Sequence, residues 1–119
     1  MRNFRTYDLW LDSIDFCQEV YFLTEKFPTP ERYGLISQLR RASVSIPSNI
    51  AEGCSRHSQR EFRRFVEIAL GSAFEIETQL IIAQKRMFFS KSELEEFLSK
   101  LESLQRRLNA LRTKLSEKV

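Results

Sequence analysis

The chain has 119 residues, 42% of them hydrophobic and 29% charged, and its net charge at pH 7 is +3. This length predicts one domain, residues 1–119, while three glycines and three prolines are too few for the many turns of an all-β fold. No apolar run approaches the roughly 20 residues that span a bilayer and no signal peptide pattern opens the sequence, so we expect a cytoplasmic protein without membrane contact.

The first predicted helix runs from about Asp8 to Phe27. It carries two neighbouring apolar stripes at helical spacing, which are Trp10, Ile14, Cys17 and Tyr21, and Phe16, Val20, Leu23 and Phe27. Because this apolar face is broad, we expect the helix to be covered on more than one side. Pro28 and Pro30 end it, since proline lacks the amide donor and disfavours helical geometry in the preceding residue.

The second predicted helix begins near Pro30 or Glu31 and ends at Gly53, a plausible C-terminal helix stop. Pro47 lies inside it, removes one backbone hydrogen bond and crowds the carbonyl of Ser43, so we expect a kink there. Because Cys54 follows the predicted helix end, we expect it to be more exposed than Cys17, which is predicted to be a core residue.

The third and fourth predicted helices each open with a capping box, Ser58 with Glu61 and Ser90 with Glu93. The third helix extends to about Met87. The fourth carries apolar residues at spacings of three and four, which are Leu94, Phe97, Leu101, Leu104, Leu108, Leu111 and Leu115. Four helices with short connections predict an all-α fold, an antiparallel up-down-up-down four-helix bundle with its second helix kinked at Pro47.

Catalytic and metal-binding patterns are missing from the sequence. There is no G-x-S-x-G, glycine-rich phosphate loop, H-E-x-x-H or C-x-x-C. His57 is the sole histidine, and with two scattered cysteines it cannot supply a usual zinc site. We therefore expect no catalytic residues, no metal, no cofactor and no enzymatic activity.

Glu75 and Glu77 lie on the third helix, where a paired acid–base role is one hypothesis. Residues two apart lie on different helix faces, and the Glu-x-x-His repeats of a di-metal bundle are missing. The favoured interpretation is that one carboxylate faces solvent and the other pairs inside an interface.

Six arginines form the strongest functional pattern. Those nearest the start of the third helix add positive charge to the positive end of its dipole, which suits a phosphate. The predicted nucleic-acid-binding residues are Arg40, Arg41, Arg56, Arg60, Arg63 and Arg64. The alternative is a solvated helix face with Glu61 and Glu67 as partners.

The segment 46–53, Ile-Pro-Ser-Asn-Ile-Ala-Glu-Gly, resembles a known family, as do the segments 31–35, 38–42, 61–62, 70–72 and 75–80. The sequence is similar to the four-helix-bundle proteins encoded by intervening sequences in bacterial 23S ribosomal RNA genes, a group that includes accessory variability proteins of diversity-generating retroelements. The resemblance implies a ring-like homopentamer and no catalytic residues. In the retroelement branch it also implies binding of nucleic acid and of a reverse transcriptase.

Two functions therefore compete at this point. The first is a homo-oligomeric scaffold that binds structured RNA or DNA non-specifically through the six arginines, with a steep dependence on salt. The second is a protein-interaction scaffold or accessory subunit whose apolar stripes dock a partner protein without direct nucleic-acid binding.

Overall fold

The computed structural model describes residues 2–117, which form four α-helices joined by short connections. Helix α1 spans Asp8–Thr24, α2 spans Leu35–Cys54, α3 spans Gln59–Lys85 and α4 spans Lys91–Ser116. Two single 3-10 turns lie at Phe4–Thr6 and Thr29–Glu31, and residues 2–117 contain no strand. The predicted all-α class with four helices is confirmed.

Contacts between α2 and α3 show that these helices run in opposite directions. Ser72 Oγ donates to Ser45 Oγ over 2.9 Å, and one heptad further along α3 Gln79 Nε2 donates to Gln38 Oε1 over 3.1 Å. A step of seven residues forward on α3 therefore corresponds to seven residues backward on α2. The same reversal relates α3 to α4, where Glu77 contacts Gln105 and Arg63 contacts Ser116.

Three ion pairs join α1 and its C-terminal extension to α4 at heptad spacing. They are Asp12–Arg107 and Lys26–Glu93, each with an N···O distance of 2.8 Å, and Glu19–Lys100. Their side chains remain 37–57% exposed, so each pair contributes at most about 1 kcal/mol to stability. Two of them, Asp12–Arg107 and Glu19–Lys100, line a groove whose floor includes Phe16 and Leu104.

The core follows the apolar periodicity of α3 and α4. Val66, Ile76 and Leu80 of α3 are fully buried, as are Leu101 and Leu108 of α4. On α1 only one predicted stripe is buried, comprising Phe16, Val20, Leu23 and Phe27. The other stripe is only partly buried: Trp10 packs against the core, whereas Ile14 and Tyr21 retain more than a third of their surface.

Helix α2 begins later than predicted. Thr29–Glu31 forms a separate 3-10 turn, and the non-helical backbone of Gly34, with φ −108° and ψ −111°, delays α2 to Leu35. Helix α1 likewise ends at Thr24, three residues early. Pro47 lies inside a continuous α2, and the kink stays a prediction.

The end of α2 corrects two predictions. Gly53 does not stop the helix, which continues to Cys54. A Cβ on Gly53 would lie 2.8 Å from Phe62 Cδ1, so glycine is required there for close packing against α3. Cys54 is fully buried beneath this contact, whereas Cys17 is only half-buried, the reverse of the predicted order.

Both predicted serine caps are present, at the starts of α3 and α4. Ser58 Oγ accepts from the amide of Glu61 over 3.1 Å, and Ser90 Oγ accepts from Glu93 over 3.0 Å. In the described chain the return bond, from the cap amide to the glutamate, completes the box only at α4. The cap therefore fixes both helix starts, although α3 uses half of the motif.

Helix α3 ends in a left-handed residue. Met87 has φ 63°, its N–H donates to the carbonyl of Gln84 and the N–H of Phe88 donates to that of Ala83. This is the Schellman arrangement, which glycine usually occupies at the left-handed position. Met87 occupies it with a side chain that is 85% exposed.

Candidate nucleic-acid interface

The six predicted arginines do not lie together. Arg41 is about 20 Å along the axis of α2 from Cys54, because each helical residue rises 1.5 Å. Arg56, Arg60, Arg63 and Arg64 lie instead around the connection from α2 to α3. The structure thus divides the predicted site into a cluster of four and a distant pair.

Arg40, one of the distant pair, is used within the fold. Its Nε donates to Thr24 Oγ1 over 2.9 Å, and its guanidinium carbon lies 4.6 Å from the centre of the Tyr21 ring. It thereby ties α2 to α1. Arg41 is exposed on the outer face of α2.

The four remaining arginines surround the first turns of α3. Arg60 and Arg64 are exposed and four residues apart, which places them on one face. Arg63 is half-buried and its Nη1 reaches Ser116 Oγ at 3.4 Å, near the C-terminal end of α4. Because the amino end of a helix is already positive, this cluster favours an anion.

Arg56 packs against the bundle surface. Its guanidinium carbon lies 4.7 Å from the centre of the Phe65 ring, and its Nη2 is 3.8 Å from Glu52 Oε1. The side chain remains 41% exposed. Arg56 is therefore positioned by an aromatic ring while part of it faces solvent.

The N-terminal segment adds two arginines that the sequence analysis did not assign to the site. The amide of Arg2 donates to the carbonyl of Cys54 over 3.3 Å, and its guanidinium carbon lies 4.6 Å from the centre of the Phe62 ring. Arg5 lies over Phe4 at 4.6 Å. In an up-down-up-down bundle the N-terminus of the first helix shares an end with the α2–α3 connection, so topology was the signal that could have revealed them.

One end of the bundle consequently concentrates positive charge. We define this basic end as residues 2–8, 52–64 and 112–117, which contain eight Arg or Lys and four Asp or Glu, a net charge of +4. The opposite end, residues 25–35 and 82–96, contains five of each and is neutral. The C-terminal members, Arg112 and Lys114, belong to the basic tail that follows Lys100.

A buried thiol, Cys54, and a half-buried phenol, Tyr7, lie at the basic end. Burial raises the pKa of the Cys54 thiol, although hydrogen bonding to Tyr7 opposes this. Burial likewise raises the pKa of the Tyr7 hydroxyl, and Cys54 adds to that effect. Both groups are therefore neutral at pH 7 and do not add charge to the site.

The other polar residues considered in the sequence have structural contacts. Glu77 accepts from Gln105 Nε2 over 2.8 Å across the α3–α4 interface, whereas exposed Glu75 accepts from Gln79 Nε2 over 3.1 Å. His57 is exposed in the α2–α3 connection. Among the described residues no three His, Cys, Asp or Glu side chains group as metal ligands, and no helix is long and apolar enough to cross a membrane.

Two exposed apolar strips lie on the sides of the bundle. The α1 strip consists of Leu11, Ile14, Tyr21 and Phe22, which are 37–59% exposed. The α3 strip consists of Ile68, Phe74 and Ile82, which are 43–53% exposed and flank Gly71, around which a Cβ would meet only open space. In the described chain α1 packs against α2 and α4 but not α3, so the strips face different directions.

The comparisons with known proteins point to one family. The sequence profile described as 23S rRNA-intervening sequence protein matches residues 5–110. A crystal structure of a protein of unknown function from the S23 ribosomal protein family of Bacteroides thetaiotaomicron is similar, with a TM-score of 0.82 at 20% identity. The similarity covers 88% of this chain and 95% of that one. No curated protein matches the sequence.

Proposed function

Because this chain belongs to the 23S rRNA-intervening sequence protein family, we propose that it is a non-enzymatic, homo-oligomeric bundle that binds RNA or DNA. The single observation that carries the binding proposal is the meeting of three chain segments at the basic end, with its net charge of +4. An electropositive surface of this kind attracts phosphates irrespective of sequence.

The contacts of the arginines divide the predicted set into two roles. Arg60 and Arg64 are exposed and available to phosphates, with Arg63 beside them. Arg40 instead supports the α1–α2 contact. We therefore propose that the centre of the interface consists of Arg56, Arg60, Arg63 and Arg64, together with Arg2 and Arg5. Arg41, which lies further along α2, would supply an additional phosphate contact outside this centre.

Charge reversal at α3 tests the binding proposal. Replacing Arg60, Arg63 and Arg64 by Glu should strongly weaken binding of a labelled RNA at low salt, and each lost phosphate contact should reduce the salt slope by about 0.7–0.9. The matched control is Arg86→Glu, an exposed arginine at the neutral end, which should leave affinity nearly unchanged. Unchanged binding by the triple variant, or no binding by the original chain at low salt, contradicts the proposal.

The two apolar strips support the homo-oligomer part of the proposal. Monomeric proteins rarely expose several large apolar side chains together, and a ring needs two different surfaces on each subunit. The α1 strip and the α3 strip are two such surfaces. We propose that they meet between neighbouring copies, in the pentameric ring that the family resemblance implies.

Molecular mass in solution tests the assembly. Light scattering should give a multiple of 14.1 kDa, and Phe22→Asp on the α1 strip should shift the mass toward one subunit. Tyr33→Ser is the control, because Tyr33 is 88% exposed yet lies outside both strips. A monomeric original chain would refute the oligomer without bearing on nucleic-acid binding.

The same strips favour one alternative function, an accessory subunit that docks another protein, such as a reverse transcriptase, without direct contact to nucleic acid. A pull-down after nuclease treatment separates the two. A partner that survives nuclease and is lost with Phe22→Asp favours the alternative. A partner released by nuclease favours binding through the basic end.

A further inference from the structure

At the basic end, arginines and aromatic rings are arranged in pairs. Arg2 lies over Phe62 at 4.6 Å and Arg56 over Phe65 at 4.7 Å, measured from the guanidinium carbon to the ring centre. Residues 62 and 65 are one turn apart on α3, so the two pairs are neighbours. Arg5 over Phe4 supplies a third pair in the same end of the bundle.

The rings hold these guanidinium groups at the surface. Phe62 is 1% exposed whereas Arg2 is half-buried, so Arg2 lies between the ring and solvent. Arg56 likewise lies between the half-buried Phe65 ring and solvent, and 41% of the Arg56 side-chain surface remains exposed. A planar cation fixed on one face by an aromatic ring presents its other face without further loss of side-chain freedom.

Unpaired nucleobases are the planar groups that fit this arrangement. In single-stranded nucleic acid the bases stack on aromatic side chains and guanidinium planes, whereas in a duplex they are already stacked on one another. The exposed arginines next to the stacks, Arg60 and Arg64, supply the phosphate contacts that a single strand also requires. Both kinds of contact therefore occur within the first turns of α3 and the segments packed on it.

We propose that the basic end binds unpaired nucleotides, with Arg2 and Arg56 as stacking platforms for bases and Arg60 and Arg64 as phosphate contacts. This inference rests on the proposed nucleic-acid binding and deepens it by naming the ligand class as single-stranded or looped segments. RNA and DNA share the chemistry, because neither contact depends on the ribose 2′-hydroxyl.

An abasic probe separates base contacts from phosphate contacts. Fluorescence anisotropy would compare three ligands of about ten nucleotides, a length within the site sizes of single-strand binders. They are a mixed-sequence strand, an abasic strand with the same number of phosphates, and the mixed strand annealed to its complement, each prepared in RNA and in DNA. The full chain should bind the mixed strand about tenfold more tightly than either the abasic strand or the duplex, and tighter binding in either RNA or DNA supports the proposal.

Arginine-to-lysine variants test the residues. Arg56→Lys and Arg2→Lys keep the charge but lose the planar group, so they should weaken binding of the mixed strand about five- to tenfold and leave the abasic strand unaffected. Arg86→Lys, at an exposed arginine of the neutral end, is the matched control and should leave the affinity for both probes nearly unchanged. Circular dichroism checks that each variant is folded.

The outcomes distinguish this inference from the function on which it rests. Equal affinity for mixed and abasic strands, or preference for duplex, overturns the stacking proposal while leaving phosphate binding intact. Absence of binding to every probe at low salt overturns both. The comparison between probes uses the original chain, so it decides the question even if a variant fails to fold.

Discussion

The same substitution, glycine to alanine inside a helix, should have opposite effects on the free energy of unfolding at Gly53 and at Gly71. Within one subunit a new Cβ at Gly71 meets nothing within 4 Å, so alanine gains helix propensity, and Gly71→Ala should raise the free energy of unfolding of a single subunit by about 0.5–1 kcal/mol. At Gly53 the new Cβ would lie 2.8 Å from Phe62 Cδ1 and 3.0 Å from Phe65 Cβ. Real Cβ atoms essentially never show a contact as short as the one with Phe62, so something must shift.

The loss of stability in Gly53→Ala depends on how far the Phe62 side chain must move. Phe62 is 1% exposed and packed in the core, and overpacking of such a site costs about 1–3 kcal/mol. The gain in helix propensity is reduced because Gly53 is next to the last residue of α2. Gly53→Ala should therefore lower the free energy of unfolding by about 0.5–2.5 kcal/mol, after the ~0.5 kcal/mol propensity gain is subtracted.

Urea denaturation followed by circular dichroism measures both variants against the original chain. Protein concentration must be held constant, because subunit assembly would add to apparent stability. A Gly53→Ala variant that is as stable as Gly71→Ala would refute the close packing of α2 against Phe62. A shift of Phe62 and Phe65 in Gly53→Ala should also weaken the packing of Arg2 and Arg56, because these arginines lie over the two rings.

Three further measurements examine other parts of the fold. Met87→Gly should raise the free energy of unfolding by about 1 kcal/mol, because φ is 63° and the side chain is 85% exposed; no gain would contradict the strained helix end. The hydrogen bond from Lys26 holds the pKa of Glu93 below its usual value, so near that pKa the folded state binds fewer protons than the unfolded state. The free energy of unfolding should therefore fall as the pH drops from about 4.3 through the lowered pKa. Lys26→Met should flatten that pH dependence, and an unchanged slope would contradict the assignment. Iodoacetamide should modify half-buried Cys17 faster than Cys54, whose pKa is raised by burial, as mass spectrometry would show; the reverse order would contradict the packing of α2.

Local patterns in the sequence predicted the helices well. The serine caps at Ser58 and Ser90 marked two helix starts, and the leucine spacing of the last helix placed Leu101, Leu104 and Leu108 in the core. These features depend on residues within one or two turns of each other. The family resemblance was also confirmed by the profile match over residues 5–110.

Features that depend on contacts between distant segments were harder to predict. Glycine is a residue type that often ends a helix, yet Gly53 is required because Phe62 of α3 packs closely against it. Arginine is a residue type that often contacts nucleic acid, yet Arg40 donates a hydrogen bond to Thr24 and packs on the Tyr21 ring. Arg2 reaches the candidate site only because the N-terminal segment pairs with the end of α2.

The heptad-spaced ion pairs between α1 and α4 have a consequence for helix register. Two of them place the acid on α1, but the third, Lys26–Glu93, has the opposite polarity. If α4 slid by one heptad, about 10 Å, Glu93 would face Glu19; a slide the other way would bring Lys100 to Lys26. Leucines at heptad spacing permit either slide, because they would still meet apolar partners. The weak surface charges thus distinguish one alignment of the bundle from its nearest alternatives.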